Sequence, residues 1–288
     1  MEKNLIILVA LFVICSAAGS AFALEPQWFG GGGDRAWCNP ANWNSNLTPP
    51  GPVPGPADKA KINGVWGNDG PIISTPGVRV GEIFISEGPP DLAPQSLTVA
   101  AGGEVTTGSD GGIPYSGQVN IGYASHNTGT LIMDGGTMNI SGHLWLGWAG
   151  KGILQMNSGT LNVGTHLAPT MFGLGWGGPG NDTEGSRNIE IHCAGDLLHT
   201  TQWWGGAGWL GTHNYTFDIT EGTWEIHGWW ENELNQLKGN GWITGYGSAD
   251  NVVIAWDSVR ELTVVTAIIP EPITISLLGL GALLLRRR

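Results

Sequence analysis

Cysteine is scarce in this chain of 288 residues, three in all. One, Cys15, sits in an apolar leader, so the rest can form at most a single bridge, between Cys38 and Cys193. Charge is scarce too: Asp, Glu, Lys and Arg make up 12 % of the chain. That excludes a helical bundle or coiled coil, which needs Glu, Lys, Ala and Leu at helical periods. Basic residues are the scarcer sign, 12 Lys and Arg against 24 Asp and Glu. Between Ala23 and Ile269 the balance is 8 against 22, a net of −14. A body that acidic repels phosphate, which excludes nucleic acid as a partner. The two terminal apolar runs hold 11 and 13 residues, short of the roughly 20 that span a bilayer. G-x-S-x-G, H-x-H and H-E-x-x-H are all missing, so neither a serine-hydrolase elbow nor a zinc site has its ligand spacing. What the chain has instead is glycine (48), proline (17) and tryptophan (15). Its 41 % hydrophobic content excludes a disordered tail.

The two ends read as addresses. Met1–Ala23 has a basic start at Lys3, the apolar run Leu5–Cys15, and the small-x-small pattern Ala21-Phe22-Ala23. This predicts a secretory signal peptide, cleaved after Ala23. Ile14 before Cys15 is the wrong residue for a lipoprotein signal. Removal leaves 265 residues, enough for one large domain or two small ones. The far end runs Pro270-Glu271-Pro272, then the apolar run Ile273–Leu285, then Arg286, Arg287 and Arg288. The prolines hold the backbone extended, as a processing enzyme requires. The run crosses a thinned bilayer, and the three arginines stay cytoplasmic.

This order of features resembles the PEP-CTERM sorting signal, over about the last 20 residues. The resemblance implies recognition and cleavage by an exosortase-type membrane enzyme. It implies an intermediate held at the inner membrane with its body outside the cytoplasm, then release to the cell surface or extracellular matrix, often in bacteria that make exopolysaccharide. Export places Cys38 and Cys193 in an oxidising compartment, where one disulfide can form.

The middle of the chain repeats. TLIMDGGTMNISG from Thr130 matches ILQMNSGTLNVG from Ile153 at an offset of 23, and TFDITEGTWEIHG from Thr216 follows the same pattern. A second mark precedes each unit: Val119–Gly122, Leu144–Gly147, Phe172–Gly175 and Gly208–Gly211. Apolar residues alternate within each unit, which predicts strands, and Gly-Gly or Ser-Gly pairs mark sharp bends. A unit this small buries its apolar face only by stacking on copies of itself. The expected fold is all-β: a parallel β-solenoid, right-handed by default, over residues 62–266, with three short strands in each 23-residue coil. Residues 24–61, holding Gly30–Gly33, Trp37 and Trp43, read as an irregular aromatic N-terminal cap. A jelly-roll sandwich is the structural alternative. The unit resembles autotransporter passengers and pectin-lyase-like β-helices, a likeness of fold that carries no activity.

Tyr123, Trp148 and Trp176 each follow a repeat glycine. Stacked coils put them in a row at about 5 Å per step. Such a row either packs a sheet face or stacks on sugar rings. Trp203-Trp204 and Trp229-Trp230 admit the same two readings. The seven histidines read as surface or turn residues, and Asn181, Asp182 and Glu184 as weak calcium ligands outside any known loop pattern. An enzyme on this scaffold would draw on Glu221, Glu225, Glu231 or Glu233 as carboxylates and Lys151 or Arg187 as base. No spacing brings these together, and no cofactor or metal is implied. The reading is an exported, non-catalytic envelope or matrix protein associated with exopolysaccharide. The alternatives are a polysaccharide lyase or hydrolase, and a dedicated glycan-binding module.

Overall fold

The computed structural model describes residues 24–44, 50–63, 69–89, 93–108, 117–124, 126–164, 171–174, 188–193, 197–200, 202–204 and 214–269. The described chain is mostly β-strand. It opens with β1 (Gln27–Trp28), β2 (Trp43–Asn44), β3 (Lys59–Ile62), β4 (Ile72–Ile73), β5 (Val78–Val80) and β6 (Glu82–Ile85). Next come β7 (Gln95–Ala100), β8 (Glu104–Thr107), β9 (Val119–Ile121), β10 (Thr128–Ile140), β11 (Leu144–Leu146) and β12 (Lys151–Val163). Then follow β13 (Met171–Leu174), β14 (Asn188–Cys193), β15 (Leu197–Thr200), β16 (Gln202–Trp204), β17 (Asn214–Ile219) and β18 (Thr223–His227). After the helix Glu231–Gly239 come β19 (Ile243–Gly245), β20 (Val252–Asp257) and β21 (Leu262–Ala267).

These strands form an 8-stranded and a 13-stranded sheet, both mixed. In the first, β3, β6, β9, β11, β13 and β16 lie side by side and parallel in chain order, with β1 and β2 at one edge, β2 antiparallel to β1. In the second, β10 and β12 run parallel over two limbs. The first limb continues through β4, β7, β14, β17 and β19, and the second through β5, β8, β15 and β18. Antiparallel pairs close the far end: β21 on β18, and β20 on β21.

Alternation explains the core. On the first sheet Ala60 and Ile62, Ile83 and Ile85, Val119 and Ile121, and Leu144 and Leu146 share one face and one buried cluster. Leu131 with Met133 and Leu154 with Met156 meet them from the first limb, Met138 with Ile140 and Leu161 with Val163 from the second. Corners after the first sheet demand left-handed backbone: Gly122 has φ 69°, and Ser86 occupies the same corner one strand earlier with φ 64°.

The 23-residue offset is the register itself for β3 against β6 and for β10 against β12, where Leu131 faces Leu154 and Met138 faces Leu161. Elsewhere it does not hold. Val119 lies 36 residues beyond its partner Ile83, and Ile191 lies 37 beyond Leu154. Each expected pair of short strands in the Thr130 and Ile153 units is one 13-residue strand bent at an irregular step between Met133 and Thr137. The fourth strand of the glycine-marked series is Gln202–Trp204, in register with Met171–Gly173, and Gly208–Gly211 lies outside the described residues. Lys59–Ile62 belongs to the stack, so the N-terminal cap ends before residue 59 rather than at 61.

Both ends carry structure of their own. Trp28, Trp37 and Trp43 pack edge to face, Trp43 at 5.2 Å from Trp28 and 4.7 Å from Trp37 between ring centroids, and all three are buried. At the other end the helix Glu231–Gly239 buries Leu234 and Leu237, and Lys238 Nζ donates to the Val252 carbonyl at 2.6 Å. Covering the terminal strands protects unpaired backbone from association with another chain. The repeat did not foretell this helix or the antiparallel hairpin, so the repeated pattern stops short of residue 266. No helix of the described residues is long and apolar enough to cross a membrane. The expected membrane helix at 273–285 lies outside them, as do Ala21, Ala23, Pro270, Glu271, Pro272 and Arg286–Arg288.

Candidate functional site

The outer face of the first sheet is where aromatic residues gather. Register sets Lys61, Phe84, Asn120, Trp145 and Gly173 side by side on successive strands. Their neighbours in sequence point into the core, so these point out. Yet Phe84 and Trp145 are 4 % exposed and Asn120 is 1 % exposed. Tyr123 and Trp148, from the loops after the corner glycines, provide the cover. Tyr123 meets Phe84 edge to face at 5.0 Å, and Trp148 meets Trp145 likewise at 5.4 Å. Tyr123 and Trp148 stack on each other at 5.6 Å with 29° between planes, and both are half-buried. Aromatic pairs in these geometries each contribute about 0.5–1.5 kcal/mol beyond area burial. Trp145 lies across Gly173, where a Cβ would fall 2.1 Å from its ring, so glycine there makes room for the indole.

A charged margin borders the rings. Lys59 Nζ lies 3.8 Å from the Phe84 centroid and 3.0 Å from Glu87 Oε1. Lys61 Nζ lies 2.7 Å from Glu25 Oε2, and that contact holds the Glu25 carboxyl below its usual range. Burial pushes the His143 imidazole down, so the ring, 5.6 Å from Trp145, stays neutral at neutral pH. Burial also pushes the Glu82 carboxyl up, against the Gln118 amide, which donates to Oε1 at 3.2 Å. A carboxyl raised on folding contributes stability that is full below its unfolded value and lost as pH rises through its folded one. Glu82→Gln is therefore expected to melt like the native chain below pH 4.5 and at a higher temperature at neutral pH, as thermal melts at the two conditions would show.

Asn120 is the anomaly of this face. Neither Oδ1 nor Nδ2 has a hydrogen-bond partner, and both are buried. An unmet buried polar group costs about 1–3 kcal/mol.

The other sequence candidates do not converge. Trp176 lies outside the described residues, as do Asn181, Asp182, Glu184, Arg187, His166 and His213. Glu225 accepts from Arg260 Nη1 at 2.6 Å, and the same guanidinium reaches Asp257 at 2.7 Å through Nε. Glu231 and Glu233 stand in the first turn of the helix, where the dipole favours them. Glu221 is exposed in the turn before β18, and Lys151 opens β12. No group of three or more His, Cys, Asp or Glu among the described residues is placed to hold a metal ion. Asn139, an N-x-S site in sequence, accepts from Asn162 Nδ2 at 2.8 Å.

Cys38 is free and exposed, its Sγ 3.5 Å from Thr75 Oγ1. It sits beside Ala36, which bridges to Ile72 of β4, whereas Cys193 ends β14. From β4, the order β7, β10, β12, β14 leaves four strand spacings between them. At roughly 4.8 Å each this is about 19 Å, well beyond the roughly 7 Å a disulfide spans between Cα atoms. The structure does not bring these two cysteines together.

Sequence reading found Tyr123 and Trp148 but not Phe84, Asn120, Trp145 or Lys59. The signal was there for Trp145: in Leu144-Trp145-Leu146 the alternation that buries both leucines turns the indole outward. No family model, curated protein or solved structure matches this chain.

Proposed function

We propose that this chain is an exported, non-catalytic β-solenoid of the cell envelope or extracellular matrix that contacts polysaccharide through the outer face of its first sheet. The parallel order of β3, β6, β9, β11, β13 and β16, one strand from each circuit of the chain, supports the solenoid reading. The sorting reading rests on Pro270-Glu271-Pro272, the apolar run and the terminal arginines, which resemble the PEP-CTERM signal and call for an exosortase-type enzyme and an inner-membrane intermediate.

The observation that carries the glycan reading is the Tyr123–Trp148 pair. Two half-buried rings from neighbouring circuits lie nearly parallel at 5.6 Å on an outward face. Sugar rings present apolar C–H faces that rest on such a platform, and flanking polar groups fix their orientation. Tyr123→Ala and Trp148→Ala are each expected to weaken retardation of the full chain in polysaccharide-containing gels about tenfold or more, as the loss of a central aromatic anchor does. Native-like melting of both variants with unchanged retardation would contradict the reading.

A further inference from the structure

Asn120 stands in a place that suits an apolar side chain. It lies in register between Phe84 and Trp145, on a face closed by Tyr123 and Trp148. Among the described residues four other side chains, Trp37, Asn44, Glu87 and Gln95, leave one buried polar atom unmet. Asn120 leaves both ends of its amide unmet, at 1 % exposure. Trp145 leans over Gly173, on the side away from Asn120, so the amide is not simply the filler beneath that indole. The rings that cover the face come from loops rather than strands, Tyr123 after Gly122 and Trp148 after Gly147. Opening the face requires these two rings to part, and interface rotamer changes of that kind are common on binding.

We propose that Asn120 is the hydrogen-bonding floor of a sugar subsite, walled by Phe84 and Trp145 and covered in the free protein by Tyr123 and Trp148. The inference rests on the glycan reading and names the ligand class: a neutral polysaccharide that presents two adjacent hydroxyls. An amide offers one acceptor and a donor pair side by side. One sugar hydroxyl donates to Oδ1 while its neighbour accepts from Nδ2, which meets both unpaired ends at once. A polyanion is disfavoured. Lys59 and Lys61 are already paired with Glu87 and Glu25, and the body around them is strongly acidic.

The test runs the full chain in gels containing hydroxyethyl cellulose, laminarin or galactomannan as neutral probes, and alginate or polygalacturonate as acidic ones. Tryptophan emission on titration with the same polysaccharides gives a second readout. Asn120→Leu removes the unmet amide. It is expected to melt a few degrees higher, about 2–4 °C, while losing retardation in the neutral gels at least tenfold. Asn120→Thr keeps one hydroxyl and is expected to fall between. A higher melting temperature with unchanged retardation, while Trp148→Ala still loses it, would overturn the role of Asn120 and leave the platform standing. Loss of retardation with a fall in melting temperature in both Asn120 variants would mark a structural role and overturn it also. Retardation in the acidic gels alone would overturn the ligand class. A native chain retarded in none of them would overturn the subsite and the glycan reading together.

Discussion

Gly159→Ala is expected to lower the melting temperature by roughly 4–20 °C, at about 2–4 °C for each kcal/mol in a chain of this size. Gly159 has φ 92°, in the left-handed region, where a Cβ costs about 1–2 kcal/mol. That Cβ would also lie 2.2 Å from the Gly136 carbonyl oxygen on the neighbouring strand, and 2.9 Å from the Gly136 nitrogen. Both are backbone atoms, so relief requires β10 and β12 to part along the longest parallel pairing among the described residues. Overpacking of this kind adds about 1–3 kcal/mol. Gly239→Ala provides the contrast. It ends the helix, with nothing within 4 Å of an added Cβ, and is expected to leave the melting temperature unchanged or slightly raised. Equal melting temperatures for the two variants would show that the register of β10 on β12 is wrong.

Trp43→Ala is expected to be as severe and to act from one end. Trp43 is fully buried, packs edge to face on both Trp28 and Trp37, and donates through Nε1 to the Trp37 carbonyl at 2.7 Å. Truncating a buried tryptophan costs about 3–5 kcal/mol. The position makes the loss directional. β2 carries Trp43 at the edge of the first sheet, β1 pairs with it, and β3 pairs with β1. In a stack whose members touch only their neighbours, losing the end exposes the next strand first. Hydrogen exchange is expected to quicken first in residues 27–44, then in β3, with β17, β18 and β19 at the far end the last affected. Uniform loss of protection along the stack would contradict a nearest-neighbour arrangement. Trp43→Phe retains the ring contacts but not the bond to Trp37, and is expected to lose less.

Much of this architecture is legible in residues. The match of Leu131 to Leu154 and Met138 to Leu161, read as an offset in sequence, is the hydrogen-bonded register in space. The alternation in Val119–Ile121 and Leu144–Leu146 correctly separates core from outer face. The repeat spacing sets Tyr123 and Trp148 about one strand spacing apart, and they stack at 5.6 Å.

What escaped has physical reasons. The bend in each long strand is built differently. Gly135 takes positive φ in β10 and Gly159 in β12, although the sequence offset equates Gly159 with Gly136. A one-residue shift at a bulge leaves no trace in an apolar pattern. The helix Glu231–Gly239 is short, and its burial rests on Leu234 and Leu237 alone, too few turns for a helical period to stand out. β20 and β21 alternate like any strand, so their direction could not be read from composition. Asn120 escaped because its significance lies in having no partner, which only packing reveals.

The proposed face, non-catalytic and holding polysaccharide, has a direct test. The most direct measurement is gel retardation of the full native chain in neutral polysaccharides, with the glycan recovered and sized afterwards. The expected result is a retarded band, retardation lost with Trp148→Ala, and glycan of unchanged length. Shortened glycan would contradict it and return attention to the carboxylates, Glu225 first. An unretarded band in every neutral polysaccharide would contradict the binding face itself.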